Sequence, residues 1–330
     1  MIEKKKSISI ALCTYNGSNY LEDQLNSILE QTILPDEMII CDDGSVDETL
    51  EIIEEFKKGV KFKIDIYHNE KTLGSTKNFE KAIKLCKGDI IVLCDQDDIW
   101  LPQKLEEIKN VFISNPKAGY VFTNGILIDE NSNCLDKTLW GCLSFDKAEK
   151  EIFKANTINQ IKILFKRNVV TGATMAFRKN IVDNVLPISK DWIHDAWIAF
   201  FSSSIGYKGL IIDKNLIKYR VHKKQVCGIG GYNKNRLLNM IKRVFNSSSA
   251  SYIKKTNLYL KILKQLNDNI LFNSEIKKYI LNGIEHFKTR EYLHNNPRWK
   301  RFYYFSKKLS LGDYKKYSNG WRSIIKDLIF

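Results

Sequence analysis

The stretch Ile90-Ile91-Val92-Leu93-Cys94-Asp95-Gln96-Asp97-Asp98 decides how the rest of the chain is read. Its apolar run, Ile90 to Cys94, has the length and composition of a strand buried on both faces. Three carboxylates then fall within four residues. Asp95, Asp97 and Asp98 would repel one another unless a cation sits among them. Carboxylate oxygens favour a hard cation, Mg²⁺ or Mn²⁺, whose shell a diphosphate can complete. The bland alternative is a solvated acidic turn ahead of the next helix. Position at the carboxyl end of a strand favours the ligand reading, because open α/β sheets bind ligands there.

The neighbouring segments repeat the pattern. Ser7 to Cys13 is an apolar strand followed by the turn Thr14-Tyr15-Asn16-Gly17. Leu21, Leu25, Ile28 and Leu29 then recur at helical spacing. Glu37 to Cys41 is a second strand ending in Asp42-Asp43-Gly44-Ser45, where Ser45 or Asp47 is placed to cap a helix from Glu48 to Phe56. A third strand runs from Phe62 to Tyr67, and a helix follows Leu73-Gly74-Ser75-Thr76. After the central strand, a helix starts near Pro102 and a further strand covers Tyr120 to Phe122. Alternating strands and helices predict an α/β fold with an open, mostly parallel, doubly wound sheet. Its strand ends would bring Thr14, Tyr15, Asp42, Asp43, Asp95 and Asp97 to one cleft. No Gly-x-Gly-x-x-Gly or Gly-Lys-Ser/Thr pattern appears, which argues against dinucleotide-binding and P-loop folds.

The middle is less regular. Residues 131–168 carry polar connectors with a helix from Thr157 to Phe165, and Val169 to Phe177 reads as a strand interrupted by Gly172. Asp191-Trp192-Ile193-His194-Asp195-Ala196-Trp197 is dense in ionisable and aromatic groups, with Asp195 placed to cap a helix to Ile205. Leu210 to Asp213 and Leu216 to Arg220 read as short strands before His222.

The chain has 330 residues, is 44% hydrophobic and 27% charged, and carries a net charge of +14. The charge is uneven. Residues 231–330 hold 21 Lys and Arg against 6 Asp and Glu, so the first 230 residues are almost neutral. The glycines Gly228 to Gly231 mark a boundary. The expected division is therefore a catalytic domain over 1–230 and a basic, aromatic-rich, mainly helical region over 231–330. In that region Tyr259, Ile262, Leu263, Leu266 and Ile270 form one apolar helical stripe. Asn246 to Ser249 break the helix before it. Trp299 and Phe302 to Phe305 lie among Arg298, Lys300, Arg301, Lys307 and Lys308. Such a tail suits an anionic membrane surface, with single-stranded nucleic acid or a solvated helical face as alternatives. No apolar run approaches the roughly 20 residues of a membrane span. The seven cysteines form no Cys-x-x-Cys pair, and no secretory leader is evident, so a cytoplasmic protein is expected.

Taken together, Ala11 to Gly17, Cys41 to Asp47 and Cys94-Asp95-Gln96-Asp97-Asp98-Ile99-Trp100 resemble family 2 glycosyltransferases of GT-A fold, in a bacterial rhamnosyltransferase-like form. The resemblance covers about residues 7–228. It implies a nucleotide-sugar donor (dTDP-, UDP- or GDP-linked), a divalent cation, Mn²⁺ or Mg²⁺, and usually inversion at the anomeric carbon. It implies that Thr14, Tyr15 and Asn16 lie against the nucleoside, that Asp42, with Asp43 beside it, accepts from the base, and that Lys77 and Asn78 lie near the base. Asp95 and Asp97 match the family's Asp-x-Asp motif, with Asp97 the first choice for metal contact and Asp95 toward ribose or a metal-bound water. His222 would complete the metal shell and Arg220 would meet the diphosphate. Asp195, with His194, would be the catalytic base. Thr171 and Gly172 would wall the sugar pocket, with Trp192 and Trp197 available to stack on a sugar unless they belong to the core. The missing Gln-x-x-Arg-Trp pattern points to addition of one sugar to a glycan or lipid-linked acceptor in surface polysaccharide synthesis. The competing readings are a nucleic-acid binder, which leaves the acidic cleft unexplained, and an inactive binding module, against which Asp97 and Asp195 argue.

Overall fold

The computed structural model describes residues 6–223, 225, 249–297, 299–301 and 311–329. Its centre is a mixed sheet in the order β3-β2-β1-β4-β8-β6-β9-β5, with β7 added beside β6. The strands are β1 (Ile8–Thr14), β2 (Glu37–Asp42), β3 (Lys63–His68), β4 (Ile90–Asp95), β5 (Ile99–Trp100), β6 (Ala118–Ile128), β7 (Cys134–Thr138), β8 (Met175–Arg178) and β9 (Lys208–Arg220). β1 and β2 are buried along their whole length and β4 up to Cys94, as unbroken apolar runs between helical layers require. The parallel registers place Thr14 opposite Asp42 and Cys13 opposite Asp95, so three strand ends share one rim.

The helices of this part are α1 (Leu21–Leu29), α2 (Thr49–Lys58), α3 (Ser75–Leu85), α4 (Lys104–Ser114), α5 (Leu139–Cys142), α6 (Lys147–Ala155), α7 (Thr157–Leu164), α8 (Val182–Val185) and α9 (His194–Ser204). Several expectations change. Residues 131–168 contain β7, α5 and α6 besides the expected α7; Asp146 and Asn156 cap α6 and α7 through their side chains. The Val169–Phe177 segment is not a continuous strand: Gly172–Thr174 is a 3₁₀ turn, and the strand starts at Met175. The two short strands before His222 are one long strand, β9. Asp195 is not the N-cap of its helix; that position is Ile193, and no side chain caps it. Helix α2 likewise has no side-chain N-cap, although Asp47 accepts the Thr49 N–H at 3.2 Å from one position further back.

β8 enters the sheet antiparallel to both β4 and β6, while β9 lies parallel to β6. The two-residue β5 pairs antiparallel with β9, Ile99 opposite Lys218. That pairing turns the chain after Asp98 back across the sheet and brings the end of β9 onto the Asp97 loop.

The C-terminal region adds α10 (Ser249–Asn267), α11 (Ser274–His294), α12 (Leu311–Tyr317) and α13 (Trp321–Ile329). Tyr259, Ile262, Leu263 and Leu266 are buried as the stripe predicted, whereas Ile270 lies beyond the helix end and is fully exposed. Many of the region's aromatics serve packing. Phe165, at the end of α7, projects among Tyr259 (4.1 Å between ring centres), Tyr279, Phe287 and Tyr317. Its basic and polar groups also turn inward: buried Asp327 accepts from Arg290, His294, Tyr252 and Tyr314. Gly228–Gly231, Asn246, Ser247, Ser248, Arg298, Phe302–Phe305, Lys307 and Lys308 lie outside the described residues. Among the described residues no helix is long and apolar enough to cross a membrane.

Candidate active site

The rim is built by side chains that tie one loop to the next. After β1, Asn16 takes a left-handed backbone (φ 47°), and its N–H donates to Ser45 Oγ at 2.8 Å. Its side-chain oxygen accepts from Val46 N at 2.9 Å, and Gly17 N donates to Thr49 Oγ1 at 2.8 Å. The loops after β1 and β2 are thereby zipped together. Asp42 is completely buried beneath them. Its carboxylate accepts from Thr14 Oγ1 (2.8 Å), Ser45 Oγ (2.5 Å), Ser45 N (2.8 Å) and Gly44 N (3.1 Å), and pairs with His68 Nδ1 (3.0 Å). Asp43 accepts from Asn69 Nδ2, Leu73 N and Gly74 N, holding the loop that starts α3. Both carboxylates are thus held mainly by groups of the chain itself. Asn78 is buried, donating to the Cys41 carbonyl at 2.7 Å and accepting from Asn69. Lys77 donates to Glu80 and to the Ile188 carbonyl. Tyr15 is half exposed on the rim.

Asp95 ends β4 and Asp97 lies in the loop after it. Burial first, then the charges of Asp97 and Asp195, push the Asp95 carboxyl up to about 7, against a smaller opposing pull from Lys104. One short-range electrostatic neighbourhood therefore contains Asp95, Asp97 and Asp195. Asp97 Oδ2 lies 2.8 Å from His222 Nε2, and the His222 ring packs on Tyr20 with centres 4.8 Å apart. Asp98 does not face the cleft. It is fully buried, accepts the Arg220 N–H at 3.0 Å, and is pushed far above the carboxylate range by burial and by its two acidic neighbours.

Arg220 is placed differently from its expected role. Its guanidinium is 1% exposed and is engaged by the Asp97 carbonyl (2.9 Å), Asp23 Oδ2 (2.9 Å) and Ser132 Oγ (2.8 Å), over the face of Tyr20. It holds the Asp97 loop from behind rather than extending into the cleft. Trp192 and Trp197 are likewise core residues, with Nε1 donating to the Leu258 and Val185 carbonyls.

On the opposite wall, Asp195 is the second residue of α9. Its Oδ2 accepts from Gly172 N at 2.8 Å and its Oδ1 from Asn168 Nδ2 at 3.1 Å, with the Ala196 N–H also directed at Oδ1. Burial raises the carboxyl to about 6, although these hydrogen bonds favour the ionised form. The His194 ring stacks on Phe79 with centres 4.0 Å apart, and neither ring nitrogen has a partner. Burial holds this histidine down to about 3, so it is a neutral imidazole at physiological pH. Gly172 is required by this packing, because a β-carbon there would lie 2.8 Å from His194 Nε2.

Two residues that carry the site were not singled out from sequence. The Gln96 amide pairs with both backbone groups of Tyr15, accepting from N at 2.8 Å and donating to O at 3.0 Å. Its place between two cleft carboxylates was the available signal. Lys104 is fully buried beneath the rim, 3.6 Å from the Trp100 ring centre, with Nζ donating to the Ala173 carbonyl at 2.7 Å. Burial pushes its amine down to about 7. It joins the first residue of α4 to the turn that carries Gly172.

Among the described residues no three His, Cys, Asp or Glu side chains converge as a complete metal-binding group. The donor set nevertheless suits a hard divalent cation that takes few protein ligands and keeps water and phosphate oxygens. Asp97 and His222 are already paired, and the suppressed ionisation of Asp95 is what a nearby cation would relieve.

Comparison with known proteins identifies the family. Residues 9–186 match the model of "Glycosyl transferase family 2". An uncharacterized glycosyltransferase of Methanocaldococcus jannaschii is 30% identical over 219 residues, 66% of this chain and 71% of that protein. The dTDP-rhamnosyl transferase RfbG of Shigella flexneri is 39% identical over 108 residues, only 32% of this chain and 37% of that relative. Among solved structures, S. aureus TarS 1–349 in complex with UDP-GlcNAc superposes with a TM-score of 0.58 at 17% identity, covering 98% of this chain and 81% of that one. The mannosyltransferase PcManGT of Pyrobaculum calidifontis, in complex with GDP-Man and Mn²⁺, superposes with a TM-score of 0.53 at 15% identity over 98% of this chain and 79% of its own. With its strand-end carboxylates gathered on one rim, the chain is a GT-A-fold member of glycosyl transferase family 2.

Proposed function

We propose that the protein is an inverting glycosyltransferase that moves one sugar from a nucleotide-diphosphate donor to a hydroxyl of a glycan or lipid-linked acceptor in surface polysaccharide synthesis. The observation that carries this reading is the rim of strand ends, where Thr14 hydrogen-bonds Asp42 across β1 and β2, Cys13 stands opposite Asp95, and Asp97 meets His222 at 2.8 Å. In this reading Thr14, Tyr15 and Asn16 receive the nucleoside. Asp42, Asp43 and Asn78 build that pocket by ordering its loops, and Lys77 borders it. Asp95, Asp97 and His222 hold Mn²⁺ or Mg²⁺. The bound cation would supply Lewis-acid stabilisation of negative charge on the departing diphosphate.

Asp195 serves as the base. The acceptor oxygen attacks the anomeric carbon while its proton passes to the Asp195 carboxylate, and the bond from that carbon to the diphosphate oxygen breaks. The nucleoside diphosphate leaves with the bonding pair, and the anomeric configuration inverts. A carboxyl raised to about 6 is suited to general-base work near neutral pH. Neutral His194 and Gly172 close the pocket behind it, and Arg220 keeps the Asp97 loop in register.

We take residues 1–230 as the catalytic domain and 231–330 as an attached helical region. Exposed Trp299, Trp321 and Ile325, beside Lys300 and Arg322, favour contact with an anionic inner-membrane surface by part of that region. No nucleic-acid partner is proposed, since such a partner leaves the acidic strand-end rim without a role.

The test is nucleotide release from dTDP-, UDP- and GDP-sugars, with Mn²⁺ or Mg²⁺ and with EDTA, for the native chain, Asp97→Ala and Asp195→Asn. Metal-dependent release by the native chain that both substitutions abolish supports the proposal. Equal rates for all three proteins would end it.

A further inference from the structure

Among the described residues, the C-terminal bundle meets the turn before α9 at Trp192, a contact that the proposed chemistry leaves without a role. Trp192 stands three residues before Asp195. Its indole N–H donates to the Leu258 carbonyl of α10 at 3.2 Å. Its ring packs edge-on against Tyr259 of the same helix, with centres 5.6 Å apart, and against Trp197 and Phe200 of α9. Its own carbonyl accepts from Thr76 Oγ1 of α3 at 2.9 Å. The preceding residue, Asp191, is paired with Lys261 of α10. Two positions further on, His194 stacks on Phe79 of α3.

This arrangement answers a mechanical need. Helix α9 starts at His194, and its N-cap, Ile193, offers no side-chain cap. A helix start with no cap of its own has its unpaired N–H groups and its position settled by surrounding elements. Here both α10 and α3 hold the turn. The bundle is itself locked to the catalytic domain, through the Phe165 ring and through Tyr259 Oη donating to the Phe165 carbonyl at 2.7 Å. A shift of α10 is therefore transmitted to the turn that carries Asp195.

We propose that Trp192 is a positioning residue through which the C-terminal bundle sets the place of Asp195, making α10 part of the catalytic unit. The inference rests on the reading of Asp195 as the base. Misplacing a reacting group by a fraction of an ångström costs turnover and leaves donor binding at the far strand ends unchanged.

The experiment uses the full chain and compares Trp192→Phe, which keeps an aromatic ring and the Thr76 contact but removes the N–H, with Asp195→Asn. Steady-state nucleotide release from whichever of the dTDP-, UDP- and GDP-sugars the native chain turns over is measured across pH 5–9, with melting temperatures alongside. Trp192→Phe is expected to lower kcat about three- to ten-fold, to keep the donor KM within two-fold, and to shift the acidic limb of the kcat–pH profile. Lys261→Ala, which loosens the same contact outside the core, should change kcat in the same direction with a smaller amplitude. Unchanged kcat and pH profile in Trp192→Phe, even with a lower melting temperature, would reduce the residue to a packing role. A raised donor KM at constant kcat would also overturn the proposal. If Asp195→Asn keeps native turnover, the base assignment fails and this inference falls with it. If Asp195→Asn is inactive while Trp192→Phe is native, this inference alone fails.

Discussion

Asp97 and His222 meet at 2.8 Å across 125 residues of chain, because β5 pairs with β9 and delivers the end of the long strand to the acidic loop. The contact joins a carboxylate at the sheet centre to an imidazole at the edge of the last strand. The pair places one carboxylate oxygen and one imidazole nitrogen together at the rim, a donor set that a divalent cation would use. Replacing His222 with Ala is expected to raise the Mn²⁺ concentration needed for half-maximal activity by about 10- to 100-fold. Asp97→Asn should be more severe, because it removes the anionic ligand. Metal titration of donor turnover measures both. An unaltered Mn²⁺ dependence in His222→Ala would assign that histidine to packing on Tyr20.

The environment of Asp195 trades stability for chemistry. Burial raises its folded carboxyl to about 6, above the ordinary unfolded value near 3.8, so the folded state binds the proton more tightly. This group's contribution is therefore fully present below about pH 3.8 and is lost as pH rises to about 6, leaving an ionised buried carboxylate at neutral pH. Asp195→Asn is predicted to abolish transfer while stabilising the protein at pH 8 by about 1–3 kcal/mol, given about 1.4 kcal/mol per pKa unit. Urea unfolding at pH 8 and pH 5 checks the sign, since the gain should shrink at the lower pH. The native rate should fall below about pH 6, where Asp195 takes up its proton.

Gly17 and Gln96 form a second linked pair. A β-carbon on Gly17 would lie 2.2 Å from Gln96 Oε1, displacing the amide from both backbone groups of Tyr15. Gly17→Ala and Gln96→Ala are each expected to weaken nucleotide binding by about 1–2 kcal/mol, roughly 5- to 30-fold, at the level of a lost pair of hydrogen bonds. Since both disturb one clamp, the double variant should bind no worse than the weaker single variant. Calorimetric titration with UDP, or with the nucleotide the donor screen selects, gives the comparison. Full additivity would mean that the two residues act separately.

Phe165 enters the C-terminal bundle beside the α-carbon of Gly283, where an added β-carbon would stand 2.2 Å from the ring. Gly283→Ala is therefore predicted to destabilise by about 1–3 kcal/mol through overpacking. Phe165→Ala should cost about 3–5 kcal/mol through the cavity left among Tyr259, Tyr279, Phe287 and Tyr317. Phe165→Leu combined with Gly283→Ala should recover part of the loss, because the smaller side chain makes room for the methyl. Chemical denaturation of the four proteins is the measurement.

What the sequence made legible follows from local physics. Ile90 to Cys94 could only be a buried strand, and the acids directly after it had to stand at its carboxyl end. The same reasoning located Thr14, Asp42 and the start of α3, because short apolar runs and turn residues act within a few positions of one another. The strand through Val169 to Phe177 was misread because a 3₁₀ turn and a buried strand share apolar composition. The helix at Lys147 was missed although its residues are amphipathic, because it is short, buries only Phe153 and lies among polar connectors.

Charge and aromatic content were legible as amounts but not as directions. Arg220 was expected to meet the diphosphate and proves to be a buried brace. The aromatics of the last hundred residues read as a surface, while many of them enclose Phe165 or surround Asp327. Direction depends on which distant element occupies each face. Sequence by itself determined the parallel core, the acidic rim and, through its motifs, the family. Only the tertiary structure decided that His222 meets Asp97, that Gln96 clasps Tyr15, and that Trp192 joins the last bundle to Asp195. Each of these contacts spans a loop closure that local propensity does not encode, and each is selected by the packing of the whole.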